Sequence, residues 1–476
     1  MTTPIYDVIV IGAGPNGLSA AIATARAGFR TLVVEAHATP GGGARTSELT
    51  LPGFHHDVCS SVHPLGAGSP WFGDLDLGAF GLAWVTPPAA LAHVMGDGRV
   101  VTLERSVVDT AAQLGEDRAA YTDLMGPLAD RFAELAEMFL GPLRLPAAPI
   151  LAARFGLRAI RSLRGLVRRF RGDLAPALLG GIAAHGMVPL EATATAAIAL
   201  MLGLAGHAVG WPLARGGSRA ITDALVATLR AHGGELELGT HVTSLRQLPV
   251  ARAYVFDTSP RALLGIAGDR LPARYRARLE RFRYGPGVYK MDWALAGPIP
   301  WRDPRAARAA TVHLSGDVDH IAASERAVHA GAVGPRPFTL VVQPTLFDPT
   351  RAPAGKHIAW AYCHVPAGQR IDASALLEDH IEQFAPGFRD LVLARAARDP
   401  IDVETYDANY VGGDINGGLS DLRQLFFRPV AKADPYSTPA RDIFMCSSST
   451  PPGGGVHGMC GYWAARSVLQ ALRSTS

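Results

Sequence analysis

Lys290 and Asp292 stand two residues apart in the run 288-VYKMDWAL-295, where every other side chain is apolar or aromatic. Read as a strand, the run puts Val288, Lys290, Asp292 and Ala294 on one face, and Tyr289, Met291, Trp293 and Leu295 on the other. Two chemistries fit that spacing. On a wet sheet face the pair is a solvent-side lysine and aspartate, which is where most lysines are found. Held away from water, the ammonium loses proton affinity and becomes a candidate base, with Asp292 to tie down its charge. The second reading needs a reacting group beside the strand, so the elements able to bring one there decide the matter.

The most informative of these elements opens the chain, in 6-YDVIVIGAGPNGLSAAIATARAGFRTLVVEA-36. Val8 to Ile11 is an apolar run of strand length. Gly12, Gly14 and Gly17 follow in G-x-G-x-x-G spacing, and an alanine-rich helix runs to about Ala27. Gly28 ends the helix, and 31-TLVVE-35 reads as a second buried strand closing on an acid. Gly12 permits the tight turn, and Gly14 lets the backbone approach a pyrophosphate. Gly17 lets the helix pack on its strand, with its N-terminus toward the phosphates. Glu35 falls where an acid accepts hydrogen bonds from a ribose 2′-OH, which disfavours the 2′-phosphate of NADP. A glycine triplet alone is weak evidence. With both strands, the helix and the acid, it predicts a dinucleotide site. No second G-x-G-x-x-G follows a strand downstream, so electrons are not expected from a second bound dinucleotide.

At 476 residues the chain exceeds one simple core, which predicts two domains with interleaved segments. A formal charge of +3, with no basic run interleaved with aromatics, argues against a nucleic-acid partner. Cys59, Cys363, Cys446 and Cys460 form no CxxC pair, so neither a metal site nor a dithiol centre is expected, and a reducing compartment is. Without a signal-peptide pattern or an unbroken apolar run of about 20 residues, the sequence reads as soluble and cytoplasmic. From about residue 105 to 205 the pattern is helical. Within it, 150-ILAARFGLRAIRSLRGLVRRFRGD-173 alternates arginines with Leu, Ile, Val and Phe. Such a helix is expected as a lid over a substrate cavity, or else as a peripheral contact with an anionic membrane.

After Glu35 the chain reads 40-PGGGARTSE-48, which resembles the GG-x-x-R-T element of flavoproteins with two dinucleotide-binding domains. At the other end, 443-IFMCSSSTPPGGGVHGMCGYWAARSVLQAL-472 reads as a short strand and a glycine loop. A helix follows from about His457, with Ala464, Ala465, Val468 and Leu472 on one face. Further blocks are 215-RGGSRAITDALVATLRAHGGELELGTHVTSL-245, YKMDWALAGPIPW and 411-VGGDINGGLSDLRQLFFRP-429. Together they make nearly the whole chain resemble the phytoene-dehydrogenase-like branch of the FAD-dependent amine oxidase superfamily. That resemblance implies an α/β fold with a Rossmann-like FAD-binding domain, a mixed-sheet substrate domain and a helical cap. The FAD domain would comprise residues 1–95, 210–265 and 425–476, with the cap in 96–209 and the substrate domain in 266–424. It implies FAD as cofactor, with Gly42, Gly43 and Arg45 along the pyrophosphate and the flavin end. Val242 would meet the adenosine through its backbone. Gly458 and Met459 would start a helix whose dipole faces the flavin pyrimidine edge. Two departures stand out. Gly43 occupies the usual basic position of the GGR-type turn, and Ser448, Ser449 and Thr450 replace the Gly-Asp pair expected near the last strand.

Monoamine oxidases carry a strand lysine, followed by an aromatic stretch, that holds a water against flavin N5. The segment 286-PGVYKMDWALAGPIPW-301 is similar to theirs. By that resemblance Lys290 becomes a catalytic candidate, with Asp292 as its partner. His63, in 53-GFHHDVCSSVHPLGAGSPWF-72, is another, because in the family this segment runs past the flavin toward the substrate. The reaction implied is hydride removal from a C–H bond of an apolar small molecule to flavin N5, with oxygen or another acceptor closing the cycle. Two alternatives stay open. One is an amine oxidase giving an imine and hydrogen peroxide, with Tyr462 and Trp463 near an aromatic cage. The other is a non-catalytic binding or chaperone protein on the same fold.

Overall fold

The computed structural model describes residues 5–474. Tyr6–Ile11 forms the middle of a five-stranded sheet in the order Ile443–Met445, Ala251–Phe256, Tyr6–Ile11, Thr31–Val34, Glu235–Glu237, every pair parallel. Its central strands are covered on both faces, which is why they read as unbroken apolar runs. Helix Pro15–Arg26 follows the glycine turn, with proline in its first turn. The last helix, Met459–Ser474, packs on it so closely that a Cβ on Gly461 would lie 1.9 Å from the Asn16 carbonyl oxygen. Residues from the beginning, middle and end of the chain thus build one domain.

The second sheet has seven strands in the order Val392–Arg398, Gly287–Leu295, His357–Val365, Thr339–Val342, Ala309–Leu314, Ala89–Val94, Val100–Glu104. Neighbours are antiparallel except Ala309–Leu314 with Ala89–Val94. Ala89–Val94, inside the first segment expected for the nucleotide domain, therefore belongs to this sheet. It is buried throughout and paired on both edges.

Gly287–Leu295 is buried along its whole length. Tyr289, Met291, Trp293 and Leu295 pack into a core with Leu377, Ile381 and Phe384 of helix Ser374–Phe384. The opposite face is no wetter: Lys290 is 4% and Asp292 1% exposed. The solvent-side reading of this pair is excluded.

The arginine-rich stretch is not the lid. Helix Pro149–Ala159 turns Ile150 and Leu157 to solvent, 85% and 74% exposed, and contributes nothing to the cavity described below. Its apolar and basic alternation suits either placement, so periodicity does not separate them. The cover comes from helix Thr195–Ala208 and the residues following helix Leu174–Ala184. No helix among the described residues is long and apolar enough to cross a membrane.

Candidate active site

A groove of about 110 Å³ runs over the carboxyl edge of the parallel sheet. Gly12, Gly14, Glu35, Gly42, Gly43 and Arg45 all line it. Gly12 has φ +104°, open to glycine and strained for other residues. A Cβ on Gly14 would come within 2.6 Å of the Asp257 carboxylate. Glu35 ends the second strand and accepts the Ala13 amide at 2.8 Å, while Arg45 Nη2 meets its other oxygen at 3.2 Å. Arg45 also lies against the ring of Tyr406, 5.5 Å from its centroid. Asn16, another lining residue, keeps a buried side-chain oxygen without a hydrogen-bond partner among the described residues. A glycine cradle, a terminal acid and an unused polar atom together fit a dinucleotide.

Asp257 is a groove residue that sequence reasoning missed. Its Oδ2 accepts the Gly17 amide at 2.8 Å, at the helix end where a phosphate is drawn. Burial, with the charges of Asp407 and Glu35 adding, pushes its carboxyl up to about 8. It therefore holds a proton near neutral pH and opposes an anionic ligand little. The available signal was its place directly after a strand of the parallel sheet, where such folds bind ligands.

Three other expected residues lie beside the groove rather than in its lining. The segment before Val242 runs along the end of the second strand, with Gly239 and Thr240 amides donating to the His37 and Glu35 carbonyls. Val242 itself packs into the core there. Gly458, at φ +68°, lies so close to the first helix that a Cβ would sit 2.3 Å from Ser19 Oγ. Met459 is buried, and its amide donates to His457 Nδ1 at 3.1 Å. The glycines that line the adjoining cavity at this end are Gly453, Gly454 and Gly455.

The groove continues into a cavity of about 290 Å³, with Asn16, Gly43, Tyr410 and Ser448 common to both. Ile198, Met201, Leu202, Leu340 and Leu425 make its walls apolar. His63 lines it, with Nε2 2.8 Å from Ser218 Oγ. Burial lowers the His63 pKa to about 4, so it is a neutral imidazole. Behind it lies Asp57, which with His56 is a weaker candidate than His63 from sequence. Ser61 Oγ, Thr46 Oγ1 and the Ser218 amide donate to it at 2.6, 2.8 and 2.8 Å, and Arg351 Nη2 stands 2.9 Å away. Burial works against the Asp57 charge. Arg351 and these donors outweigh it and hold the carboxyl below its ordinary range.

Lys290 Nζ meets Asp292 Oδ1 at 2.5 Å and lies 4.9 Å from the Trp360 ring centroid. Trp360 lines the cavity and donates to Ser61 Oγ at 2.7 Å; Lys290 is not itself part of the lining. Burial lowers the Lys290 pKa and raises that of Asp292, while each partner opposes the other's shift. His56 Nδ1 is 3.6 Å from Asp292 Oδ1, and burial, then Lys290 and Arg351, depress it to about 3. Residues scattered from 56 to 360 thus form one buried polar network behind the cavity wall.

Tyr462 and Trp463 are elsewhere. Tyr462 packs tilted against Trp71, with centroids 4.9 Å apart, and Trp463 Nε1 donates to the Leu140 carbonyl at 3.0 Å. The aromatic wall comes from Trp211, Trp360, Tyr362 and Tyr410. Trp360 and Tyr362 project from one face of His357–Val365 and stack 5.8 Å apart.

Fold and groove define an α/β protein with a Rossmann-like dinucleotide-binding domain and a second, mixed-sheet domain. The family profile of the NAD(P)-binding Rossmann-like domain matches residues 10–75. The pyridine nucleotide-disulfide oxidoreductase domain-containing protein 2 of Rattus norvegicus is 27% identical, over 99% of this chain and 94% of its own length. Hydroxyneurosporene desaturase of Rhodobacter capsulatus is 64% identical over 12% of this chain and 11% of its own. The structure of cyclohexylamine oxidase from Brevibacterium oxydans superposes with a TM-score of 0.61 at 18% identity, over 99% of this chain and 100% of that one, and so has the same fold.

Proposed function

We propose that the protein is an FAD-dependent oxidoreductase that dehydrogenates an apolar small molecule, in the manner of the phytoene-dehydrogenase-like proteins. The observation that carries this reading is the continuity of a glycine-lined dinucleotide groove with an apolar cavity, through Asn16, Gly43, Tyr410 and Ser448. The second glycine cluster, with Gly42, Gly43 and Arg45 on the groove, supports FAD over NAD. The local likeness to a desaturase supports C–H dehydrogenation.

Gly12, Gly14 and the helix beginning at Pro15 would receive the pyrophosphate, and Glu35 would accept from a ribose hydroxyl. When bound, FAD supplies a two-electron acceptor for the hydride of a substrate C–H bond. Oxygen or another acceptor would close the cycle. The apolar walls exclude water from the reacting carbon. His63, neutral and held by Ser218 on the cavity wall, would take the proton lost from the neighbouring C–H bond. Lys290 and Asp292 set the charge behind Trp360 and position that wall. The reading includes peripheral contact with an anionic lipid surface through the exposed apolar residues between 143 and 160.

Amine oxidation is the second reading, favoured by the aromatic wall of Trp211, Trp360 and Tyr362 and by the fold shared with an amine oxidase. The visible absorption spectrum of the purified protein, before and after denaturation and filtration, tests the common premise. A flavin spectrum with FAD released is expected, and a screen of amines with peroxide detection then separates the two reactions. A protein that stays colourless after incubation with FAD overturns both and leaves a binding role.

A further inference from the structure

Three histidines from different elements lie in line behind the cavity: His185 at the end of helix Leu174–Ala184, His313 on Ala309–Leu314 and His93 on Ala89–Val94. His185 lines the cavity, and its Nε2 is 3.1 Å from His313 Nε2. Its Nδ1 has no protein partner among the described residues, and Trp211 packs edge-on against its ring at 5.3 Å. His93 Nε2 is 2.7 Å from the Gly316 carbonyl. Neither the function proposed above nor the likeness to other proteins assigns a task to these rings.

Their protonation pattern follows from one fixed end. A carbonyl only accepts, so His93 carries its proton on Nε2. Burial lowers its pKa to about 4, which leaves Nδ1 as a bare lone pair. The Nδ1 atoms of His93 and His313 are both buried without a hydrogen-bond partner. Both crowd the same bare backbone: a Cβ on Gly181 would lie 2.7 Å from the first and 2.6 Å from the second. A second lone pair crowded against the same glycine would repel that of His93, whereas an N–H there would be attracted to it, which favours the proton of His313 on Nδ1. Its Nε2 is then the acceptor, and His185 must donate through Nε2. Burial, with His364 nearby, holds His185 down at about 3, so it is neutral as well. Its Nδ1 is left as a bare acceptor on a ring that lines the cavity.

We propose that His185 Nδ1 is the polar anchor of the cavity, where it accepts a hydrogen bond from a single O–H or N–H group on an otherwise apolar substrate. His313 and His93 are positioning residues that fix its tautomer. The inference rests on reading this cavity as the substrate site, and it narrows the substrate class to apolar alcohols or amines over pure hydrocarbons.

The test measures binding of 1-octanol, octylamine and 1-methoxyoctane to the purified protein, followed by fluorescence of Trp211 and Trp360, which line the cavity. The ether matches the alcohol but has no donor. Replacing His185→Phe is expected to cut the preference for alcohol or amine over ether by roughly 3- to 10-fold, the worth of one hydrogen bond, with ether binding kept. Whichever of alcohol and amine shows the larger loss identifies the donor class. A preference unchanged by the substitution overturns the proposal but not the cavity. Failure of all three probes to bind overturns the cavity reading and the proposal with it. A measurement without any variant covers the case of an insoluble substitution: nitrogen-15 NMR of labelled imidazoles reads the tautomer of the ring that responds to octanol. The Nε2–H form is expected, and the Nδ1–H form overturns the assignment.

Discussion

Burial of Lys290 with Asp292 carries an energetic consequence. Each group loses its hydration, and the 2.5 Å contact between them and the Trp360 face offset part of that loss. Removing one partner leaves the other as an uncompensated buried charge. Lys290→Met is therefore expected to destabilise the protein by about 3–5 kcal/mol, whereas Lys290→Met with Asp292→Leu recovers most of that, in thermal unfolding of the variants. Equal loss in the single and double variants would mean that Asp292 is not left as an uncompensated charge when Lys290 is removed. Asp257 gives a pH signature of opposite kind. Its folded pKa of about 8 lies above the ordinary 3.8, so the stability tied to its proton is complete below the ordinary value and is lost as pH rises through about 8. Asp257→Asn keeps an acceptor for the Gly17 amide but does not titrate. In flavin-free protein its melting temperature should exceed that of the parent by an amount that grows from about pH 5 to about pH 9. A constant difference would reject the assignment. The sequence exposes residues like Lys290, whose charge interrupts an apolar run. Asp57 is less legible there, because its meaning lies in Arg351, Ser218 and Thr46, which only the fold brings to it.

The elements holding these residues differ in how plainly they can be read. The strand, glycine turn, helix and second strand at the front are local and periodic, and they stand where the pattern puts them. The last helix also follows its stripe of Ala464, Ala465, Val468 and Leu472. Pairing across the chain is another matter. Ala89–Val94 is an apolar run that fits either sheet, and only its contacts with Ala309–Leu314 and Val100–Glu104 decide. The same limit applies to the first and last helices, whose contact depends on glycine where no local turn requires it. At Gly461 an added Cβ would fall 1.9 Å from the Asn16 carbonyl, backbone that cannot swing aside. Gly461→Val should push the last helix away and disturb Asn16 on the groove. The expected result is a lowered melting temperature and a lower ratio of flavin to protein absorbance after gel filtration. Full retention of flavin would show that the helix contact does not hold the groove.

For the molecule as a whole, the proposed function raises the question of how an apolar substrate would reach the cavity. Leu143, Leu145, Ile150, Leu157 and Ile160 are all turned to solvent within one short stretch, and Leu145 is 96% exposed. Arg154, Arg161 and Arg168 are exposed in or near the same segment. Water is a poor solvent for such a concentration of apolar surface, and the neighbouring positive charge gives an anionic bilayer the matching field. Insertion of these side chains to the depth of the headgroups, without a spanning helix, would place the protein where apolar molecules are concentrated. The purified protein is expected to sediment with vesicles of phosphatidylglycerol, and far less with phosphatidylcholine. Raised salt should weaken the binding, because part of the attraction is screened. Leu145→Asp with Leu157→Asp removes two exposed apolar contacts and adds like charge to the membrane, so it should abolish sedimentation while leaving the melting temperature within a degree or so of the parent, as for surface changes generally. Binding that survives the double substitution would move the contact to another face. Equal affinity for neutral vesicles would leave the arginines without a part in it.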